Sequence, residues 1–282
     1  MARCEVCFRH CVLNEGQIGF CGARKCVDGS IVADNYGKVT SIALDPIEKK
    51  PLHRFYPGSN IISVGSYGCN MRCPFCQNHE ISWSQQAMEL RDKADIITPE
   101  QLTQLALKYK SQGNIGVAFT YNEPLIGYEF VRDTAKLVHE AGMKNVLVTN
   151  GTAELWVLEE LAPYIDAMNI DLKGFSERYY SKILGGDMHS VLSFISRAVQ
   201  VCHVELTTLV IPHENDSEED MRLISEWIEG LDGGRGIDIP FHISRFFPKY
   251  RMTDREATEA ALIYRLADIA RERLRYVYTG NC

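Results

Sequence analysis

The stretch CNMRCPFCQN, residues 69–78, carries three cysteines at intervals of four and three residues: Cys69, Cys73 and Cys76. On an α-helix this spacing places three side chains on one face, which would make a buried cysteine stripe. Gly68 precedes the first cysteine and Pro74 follows the second, and both residues disfavour a regular helix here. We therefore predict a loop in which the thiolates converge on one inorganic centre and backbone N–H groups point at sulfur.

Downstream of residue 60, short apolar runs alternate with amphipathic stretches, which predicts strand–helix units and a parallel sheet. The runs are IISV 61–64, GVAFT 116–120, NVLVT 145–149, YIDAMNIDL 164–172, VELTTLVI 204–211 and IPFHISRFF 239–247. Six such units predict an α/β fold, a partial (β/α)6 barrel similar to a TIM barrel. A doubly wound sheet is the alternative, but no G-x-G-x-x-G follows the first run.

Helix starts between these runs are marked by capping residues. Thr98 followed by Pro99 and Gln101 predicts a capping box. Thr253 with Glu256 predicts a second box, and the stretch 215–217 (NDS) predicts the start of the helix EEDMRLISEWIEG.

Residues 1–60 differ from the rest and are predicted to form a cysteine-rich appendage and a strap, while residues 61–282 form the barrel. Asp28-Gly29 between short apolar runs predicts a hairpin. The strap DPIEKKPLHRFYPGS contains three prolines, which favour an extended path.

Composition narrows the classes of function. The net charge of −7 gives no reason to expect nucleic acid as a partner, and no run of about 18 apolar residues predicts a membrane span. The N-terminus has no apolar signal core, so we expect a cytoplasmic protein. In that reducing compartment, ten cysteines favour metal ligation over structural disulfides.

Polar residues follow several predicted strands at their carboxyl ends, where a parallel barrel gathers its functional groups. The second strand ends at Asn122 and Glu123, the fourth at Asp171 and Lys173, and the sixth carries His242. Each has a plainer interpretation: turn chemistry for the asparagines, a mutual ion pair for Asp171 and Lys173, and a hydrogen-bonded core residue for the histidine. Their placement with the cysteines at one rim favours a shared site.

Three thiolates leave one iron of a 4Fe–4S cube without a protein ligand and open to an external chelator. A structural zinc site would need a fourth ligand such as His79.

A second cysteine group has the pattern C-x2-C-x3-C-x9-C and comprises Cys4, Cys7, Cys11 and Cys21. Four thiolates suit zinc or a second iron–sulfur cluster equally well, and free thiols on the appendage are the alternative. Cys26 is then a spare cysteine.

The C-x3-C-x2-C motif with Phe75 before the last cysteine resembles the cluster motif of radical S-adenosylmethionine (SAM) enzymes. More closely, the chain resembles pyruvate formate-lyase activating enzyme and its relatives over roughly residues 60–250. The matching stretches are CQN at 76–78, TNG at 149–151, DLK at 171–173 and LVIP at 209–212. The N-terminal cysteines, the strap and YNEP resemble the radical SAM subgroup of the AmmeMemoRadiSam system.

The resemblance implies that SAM chelates the open iron and is cleaved by an electron from the cluster to a 5′-deoxyadenosyl radical, which abstracts a hydrogen atom. It implies a ferredoxin- or flavodoxin-type electron donor and a protein substrate, with a glycyl-radical enzyme as the candidate. It names no catalytic side chain. The implied cofactor-binding residues are Asn78, Asn122, Glu123, Asn150, Asp171, Lys173 and His242.

Departures from the activating enzymes weaken the glycyl-radical assignment. Tyr121-Asn122-Glu123 stands where those enzymes have Gly-Gly-Glu, Val148 replaces an acid that helps hold a cation, and Thr207 replaces an arginine. Radical modification of a small molecule or of another protein is therefore a second hypothesis. A non-catalytic, zinc-stabilised interaction module is a third, but it has no need of DLK and NEP at strand ends.

Overall fold

An eight-stranded sheet forms the centre of the computed structural model, which describes residues 1–282. The strands are β1 (Ala2–Arg3), β2 (Val12–Leu13), β3 (Arg24–Val27), β4 (Ser30–Ala33), β5 (Lys38–Val39), β6 (Ser41–Pro46), β7 (Asn60–Gly65), β8 (Asp95–Ile96), β9 (Asn114–Phe119), β10 (Lys144–Thr149), β11 (Ala167–Asp171), β12 (His203–Val210), β13 (Phe241–Arg245) and β14 (Val277–Gly280). The α-helices are α1 (His79–Ser82), α2 (Gln85–Glu89), α3 (Pro99–Lys108), α4 (Tyr128–Glu140), α5 (Leu155–Leu161), α6 (Met188–Ala198), α7 (Glu218–Gly234) and α8 (Ala260–Arg271). A π-helical turn covers Tyr179–Leu184.

The strand order in the large sheet is β14-β13-β12-β11-β10-β9-β7-β6, so neighbours in space follow one another along the chain. All pairs from β7 to β14 are parallel, and β6 pairs antiparallel with β7. A doubly wound sheet would reverse its order partway, and this one does not. The predicted partial barrel is confirmed, with all six predicted strands present and β14 added as a seventh parallel strand.

Residues 1–60 form two of the three small two-stranded sheets, β1-β2 and β3-β4, and contribute β5 to the third and β6 to the large sheet. β3 and β4 form the predicted hairpin, and Asp28 and Gly29 both have positive φ (49° and 73°), as a two-residue hairpin turn requires. β6, from the strap, completes one edge of the large sheet.

Two of the three predicted helix starts are confirmed. The Thr98 hydroxyl accepts from the Gln101 N–H, and the Gln101 side chain accepts from the Thr98 N–H, which completes the capping box. The Ser217 side chain caps α7 through the N–H of Asp220.

The predicted box at Thr253 and Glu256 is wrong, because α8 begins only at Ala260. The segment before it is held along the rim by tertiary contacts. Thr258 donates its hydroxyl to the carbonyl of Val210 at 2.7 Å, and its N–H donates to the carbonyl of Phe246. These bonds prevent the local helix that the pattern favours.

The amino-terminal end of the barrel is closed around one buried carboxylate. Glu205 on β12 has no exposed surface and accepts hydrogen bonds from the backbone N–H groups of His53 and Arg54 in the strap, at 2.9 and 2.7 Å. The rings of His203 and His242 also bond to it, at 3.0 and 2.6 Å. The strap therefore closes this end by satisfying a charge inside the barrel.

The first residues of the chain pack at the opposite end, beside the loops that follow β9 and β10. Cys7 forms a β-bridge with Ala153, and the N–H of Glu154 donates to the carbonyl of Val6. Arg24 is buried and bonds to Glu129 at the start of α4, at 2.7 Å. No helix of the chain has the length and apolar character needed to cross a bilayer.

Candidate functional site

A cleft of about 310 Å³ opens at the carboxyl ends of the parallel strands. Polar side chains from the strand ends line this cleft. Nine of the residues predicted from the sequence line it: Cys69, Cys73, Cys76, Asn78, Asn122, Glu123, Asn150, Asp171 and Lys173.

The cysteine segment after β7 is a loop, and helix α1 begins only at His79. A turn closes it where the N–H of Cys76 donates to the carbonyl of Cys73 at 3.2 Å. The N–H of Met71 donates to the sulfur of Cys69 at 3.4 Å, in the predicted manner. The helical cysteine stripe is therefore excluded.

The three cysteines are suited to bind a cluster as thiolates. Burial raises the pKa of the Cys69 thiol well above its usual range and raises the pKa of the Cys73 thiol to about 12. Thiolates at these positions need positive charge nearby, which iron supplies on coordination. All three line the cleft, so they would hold a 4Fe–4S cluster beside it, and that cluster would supply an iron open to an external ligand.

The zinc alternative finds no fourth ligand at this loop. His79 does not line the cleft, and its ring packs edge-on against Tyr250 with centroids 4.0 Å apart. No three histidine, cysteine, aspartate or glutamate side chains converge closely enough to hold a single ion.

Glu123 is the most enclosed carboxylate of the cleft, with 3% of its surface exposed. It accepts from the Thr149 hydroxyl at 2.7 Å and from the N–H of Asn150 at 2.7 Å. Burial raises its pKa to about 7, because these neutral donors only partly replace water. Glu123 is therefore poised between a neutral and an ionised form near physiological pH.

Two predicted asparagines hold the walls of the cleft together. The Asn122 side chain accepts from the N–H of Ser66 at 2.9 Å and donates to the carbonyl of Gly68 at 3.1 Å. Asn78 donates to the carbonyl of Tyr121 at 2.7 Å. These bonds join the cysteine loop to the end of β9.

Asp171 and Lys173 form an ion pair, with the ammonium 2.7 Å from the carboxylate. Burial opposes the charge of Lys173, but the Asp171 carboxylate and the Cys73 thiol outweigh it and raise the pKa of the lysine. The pair anticipated as the plainer interpretation is thus present, and it lies inside the cleft.

His242 is not brought to the cleft. It lies two residues below Ser244 on the same face of β13, so it sits one layer deeper, where it bonds to Glu205. Sequence reasoning missed Ser244 and Thr120, which line the cleft together with Thr149 and Thr207. Alternate residues along a strand point to the same face, and this alternation could have identified them.

The N-terminal cysteines surround a second, smaller and more enclosed cavity. Cys4, Cys7, Cys11 and Cys21 all line it, together with Arg9 and Asn70. Cys26 does not line it, and its thiol instead points toward Glu15, with sulfur 3.9 Å from the carboxylate.

Comparison with known proteins identifies the family. A profile described as the Radical SAM superfamily matches residues 63–224. An uncharacterized protein of Methanocaldococcus jannaschii is 39% identical over 282 residues, covering 99% of this chain and 81% of that protein. Pyruvate formate-lyase 1-activating enzyme of Escherichia coli is 25% identical over 193 residues, covering 66% of this chain and 75% of that enzyme.

Solved structures show the same fold. A domain of pyruvate-formate lyase-activating enzyme from Bacteroides vulgatus superposes with a TM-score of 0.51 at 17% identity, covering 58% of this chain and 98% of that domain. Streptococcus suis SuiB bound to S-adenosylmethionine superposes with a TM-score of 0.58 at 14% identity, covering 79% of this chain and 52% of that protein. The profile match includes the cysteine loop and the strands that line the cleft, and the chain belongs to the radical SAM superfamily.

Proposed function

We propose that this enzyme generates a radical at the cleft and uses it to abstract a hydrogen atom from a protein substrate. The observation that carries the proposal is that three cluster-type cysteines and six further predicted residues line one cleft. When bound, the 4Fe–4S cluster and SAM supply the chemistry, an electron and a 5′-deoxyadenosyl radical.

We assign Cys69, Cys73 and Cys76 to the cluster and the ion pair to the methionyl end of SAM. Lys173 offers a cation to the methionyl carboxylate, and Asp171 holds that ammonium in place at 2.7 Å. Glu123 in its ionised form offers an acceptor to the methionyl amine. His242, which lies one layer below the cleft, receives no role in cofactor binding.

Asn78, Asn122 and Asn150 position these groups. Asn122 and Asn78 fix the cysteine loop against β9, as their bonds to Ser66 and Tyr121 indicate. Asn150 places its amide nitrogen 3.8 Å from the Cys69 sulfur. Hydrogen bonds to thiolate sulfur tune cluster potentials, so this contact favours reduction.

For the substrate we favour a glycyl-radical enzyme partner. The support is the similarity to pyruvate formate-lyase activating enzymes of Escherichia coli and Clostridium pasteurianum, at 25% and 24% identity. The replaced positions Val148 and Thr207 both line the cleft, so its floor differs from the activating enzymes at the points noted in the sequence. Modification of a small molecule or of another protein is the competing outcome.

We further propose that residues 1–60 form a functional unit distinct from the barrel and that Cys4, Cys7, Cys11 and Cys21 bind a second metal centre, zinc or iron–sulfur. Their common cavity supports this assignment. The chain resembles the AmmeMemoRadiSam radical SAM subgroup in these residues, and we propose that it belongs to that subgroup. Ten unpaired thiols fit a cytoplasmic location, where a ferredoxin or flavodoxin would serve as electron donor.

Anaerobic reconstitution tests the radical chemistry. Purified protein should be brown, and dithionite-reduced protein with SAM should release 5′-deoxyadenosine, measured by liquid chromatography. The variant C69A/C73A/C76A should release none. Cys202→Ala is the matched control, because Cys202 is also partly buried but lies outside both cavities.

Nucleoside release by the triple variant at the wild-type rate would overturn the assignment of the cluster. A colourless, zinc-containing wild type would favour the interaction module. Candidate proteins labelled with deuterium distinguish a protein substrate from a small molecule. Deuterium found in 5′-deoxyadenosine by mass spectrometry would identify the protein as the hydrogen donor.

A further inference from the structure

The N-terminal cysteine cavity lies directly against the cluster loop. The N–H of Cys69 donates to the carbonyl of Cys21 at 3.1 Å. Gly68 makes this approach feasible, since it has a φ of +97° and a Cβ there would lie 2.7 Å from the same carbonyl oxygen. A single backbone hydrogen bond therefore joins Cys21 of the N-terminal group to Cys69 of the cluster loop.

Side chains form a second connection between the two groups. Asn70 lines the N-terminal cavity, beside Cys7, and accepts at its amide oxygen from Asn150 at 2.9 Å. The same Asn150 nitrogen lies 3.8 Å from the sulfur of Cys69. Asn70 has 1% of its surface exposed, so this path is shielded from water.

Positive charge sits between the two thiol groups. Arg9 lies close enough to Cys7, Cys11, Cys21 and Cys69 to interact with the charge of each, and its Nε donates to the carbonyl of Asn70 at 2.7 Å. Two anionic clusters this close would repel one another, and a shared guanidinium offsets that repulsion.

Arg72 provides a second cation on the cluster side. Its Nη1 donates to the carbonyl of Cys69 at 2.7 Å. The ring of Phe20 lies between the two guanidinium groups, 3.4 Å from Arg9 and 3.8 Å from Arg72, and so holds both in position.

The N-terminal thiols are like the rim thiols in one respect. Zinc sites hold their thiolates about 2.3 Å from one ion. The four thiols line one small cavity and, as at the rim, no three of them meet closely enough to hold a single ion. Four protein thiolates would leave an iron–sulfur cluster with no open iron for SAM.

We propose that Cys4, Cys7, Cys11 and Cys21 hold an iron–sulfur cluster that relays electrons to the cluster at Cys69, Cys73 and Cys76. A ferredoxin- or flavodoxin-type donor gives one electron to the N-terminal cluster, which passes it on and returns to its oxidised form. No bond forms or breaks, and no proton moves. The relay rests on the proposed radical function, and the assignment of the N-terminal cluster does not.

Metal analysis tests the cluster. The variant C69A/C73A/C76A should retain iron and acid-labile sulfide with a Mössbauer spectrum of an iron–sulfur cluster, and adding C4A/C7A/C11A/C21A should remove both. Zinc alone, or no metal, in the triple variant would overturn the proposal. This readout is independent of SAM cleavage, so wild type that fails to cleave SAM would defeat only the proposed function.

Stopped-flow reduction tests the relay. In C4A/C7A/C11A/C21A with the rim cluster intact by its EPR signal, reduction of that cluster by reduced ferredoxin should be at least about tenfold slower than in wild type. Dithionite, which reaches the open cleft directly, should reduce it at an unchanged rate. An unchanged rate with ferredoxin would overturn the relay.

Two further variants protect the test against misfolding. Cys11→Ala changes the least buried of the four cysteines and should also slow ferredoxin-dependent reduction. Cys26→Ala, in the same appendage but outside the cavity, should behave as wild type. Magnetic coupling between the two reduced clusters should appear in the EPR spectrum of Cys26→Ala and vanish in the quadruple variant; its absence from both would contradict the proximity of the clusters.

Discussion

Two glutamates are buried inside the same barrel and behave in opposite ways. Glu123 at the rim accepts from a hydroxyl and backbone N–H groups, and burial raises its pKa to about 7. At the closed end, burial also raises the pKa of Glu205. Hydrogen bonds from His203, His242 and the strap outweigh burial and lower that pKa to about 2.

The difference lies in the donors. Two histidine rings and two backbone N–H groups keep Glu205 ionised at neutral pH, so it serves as a structural anchor for the strap. Glu123 keeps a carboxylate that an incoming cation can still stabilise. The barrel therefore stabilises the ionised carboxylate at its closed end and stabilises it only in part at the rim, where we propose that SAM binds.

Removing the anchor should give the largest effect. Glu205→Ala leaves the N–H groups of His53 and Arg54 without an acceptor inside the barrel. We expect a loss of about 3–5 kcal/mol in the free energy of unfolding, measured with urea on the apoprotein. His203→Ala, which removes one partly exposed donor, should cost only about 1 kcal/mol. Equal losses in both variants would contradict the anchor.

The pH dependence of stability should separate the two carboxyls. Because the pKa of Glu123 is raised from 4.5 to about 7, its contribution is fully present below pH 4.5 and is lost as pH rises through 7, by up to about 3 kcal/mol. Glu205 acts oppositely, with stability present above pH 4.5 and lost as pH falls toward 2.

Glu123→Gln should therefore flatten the stability profile of the apoprotein between pH 4.5 and 7 and leave the acid limb in place. Unfolding in urea at several pH values measures this. Glu154→Gln, a partly exposed glutamate near the same rim, is the control and should keep the wild-type slope. A slope that survives in Glu123→Gln would place the titration elsewhere.

Lys173→Ala should weaken both cofactor binding and the fold. A charge-assisted bond contributes about 1.5–3 kcal/mol, so SAM affinity of the reconstituted enzyme should fall roughly 10- to 100-fold. The free energy of unfolding should fall by about 1–3 kcal/mol, because the lysine side chain is only 16% exposed and its loss leaves Asp171 unpaired.

Lys144→Ala is the matched control for Lys173→Ala. Lys144 makes a similar ion pair with Asp166, at 2.6 Å, but at the amino end of β10. Equilibrium binding of SAM should be unchanged in this variant. If Lys173→Ala also binds normally with its cluster intact, the pair with Asp171 is structural only.

The sequence was informative wherever the signal is local. Gly68 and Pro74 predicted the loop, and Thr98 with Gln101 predicted the helix start, because these residues act on their own backbone. Thr253 and Glu256 failed for the complementary reason, since distant carbonyls compete for that segment. β14 was missed because VYTG is short and only half apolar, and its pairing with β13 supplies the stability.

The depth of a residue inside the barrel is the other quantity that local patterns miss. His242 and Ser244 share a face, yet only Ser244 lines the cleft, because two residues along a strand span roughly 7 Å. The sequence pattern shows which side chains of a strand point into the barrel, but it does not show how deep in the barrel each of them lies. Glu205 was overlooked for the same reason, although an acid inside an apolar run is a visible anomaly.

The sequential strand order has a consequence for how the protein matures on the ribosome. Each strand of the large sheet from β7 onward pairs with its predecessor along the chain, so the sheet can grow as the chain emerges. The appendage contacts Ala153 and Glu154, which are translated about 150 residues later than Cys4. Enclosure of the first cysteines must therefore wait for about 150 further residues, which leaves a long interval for insertion of the proposed N-terminal cluster.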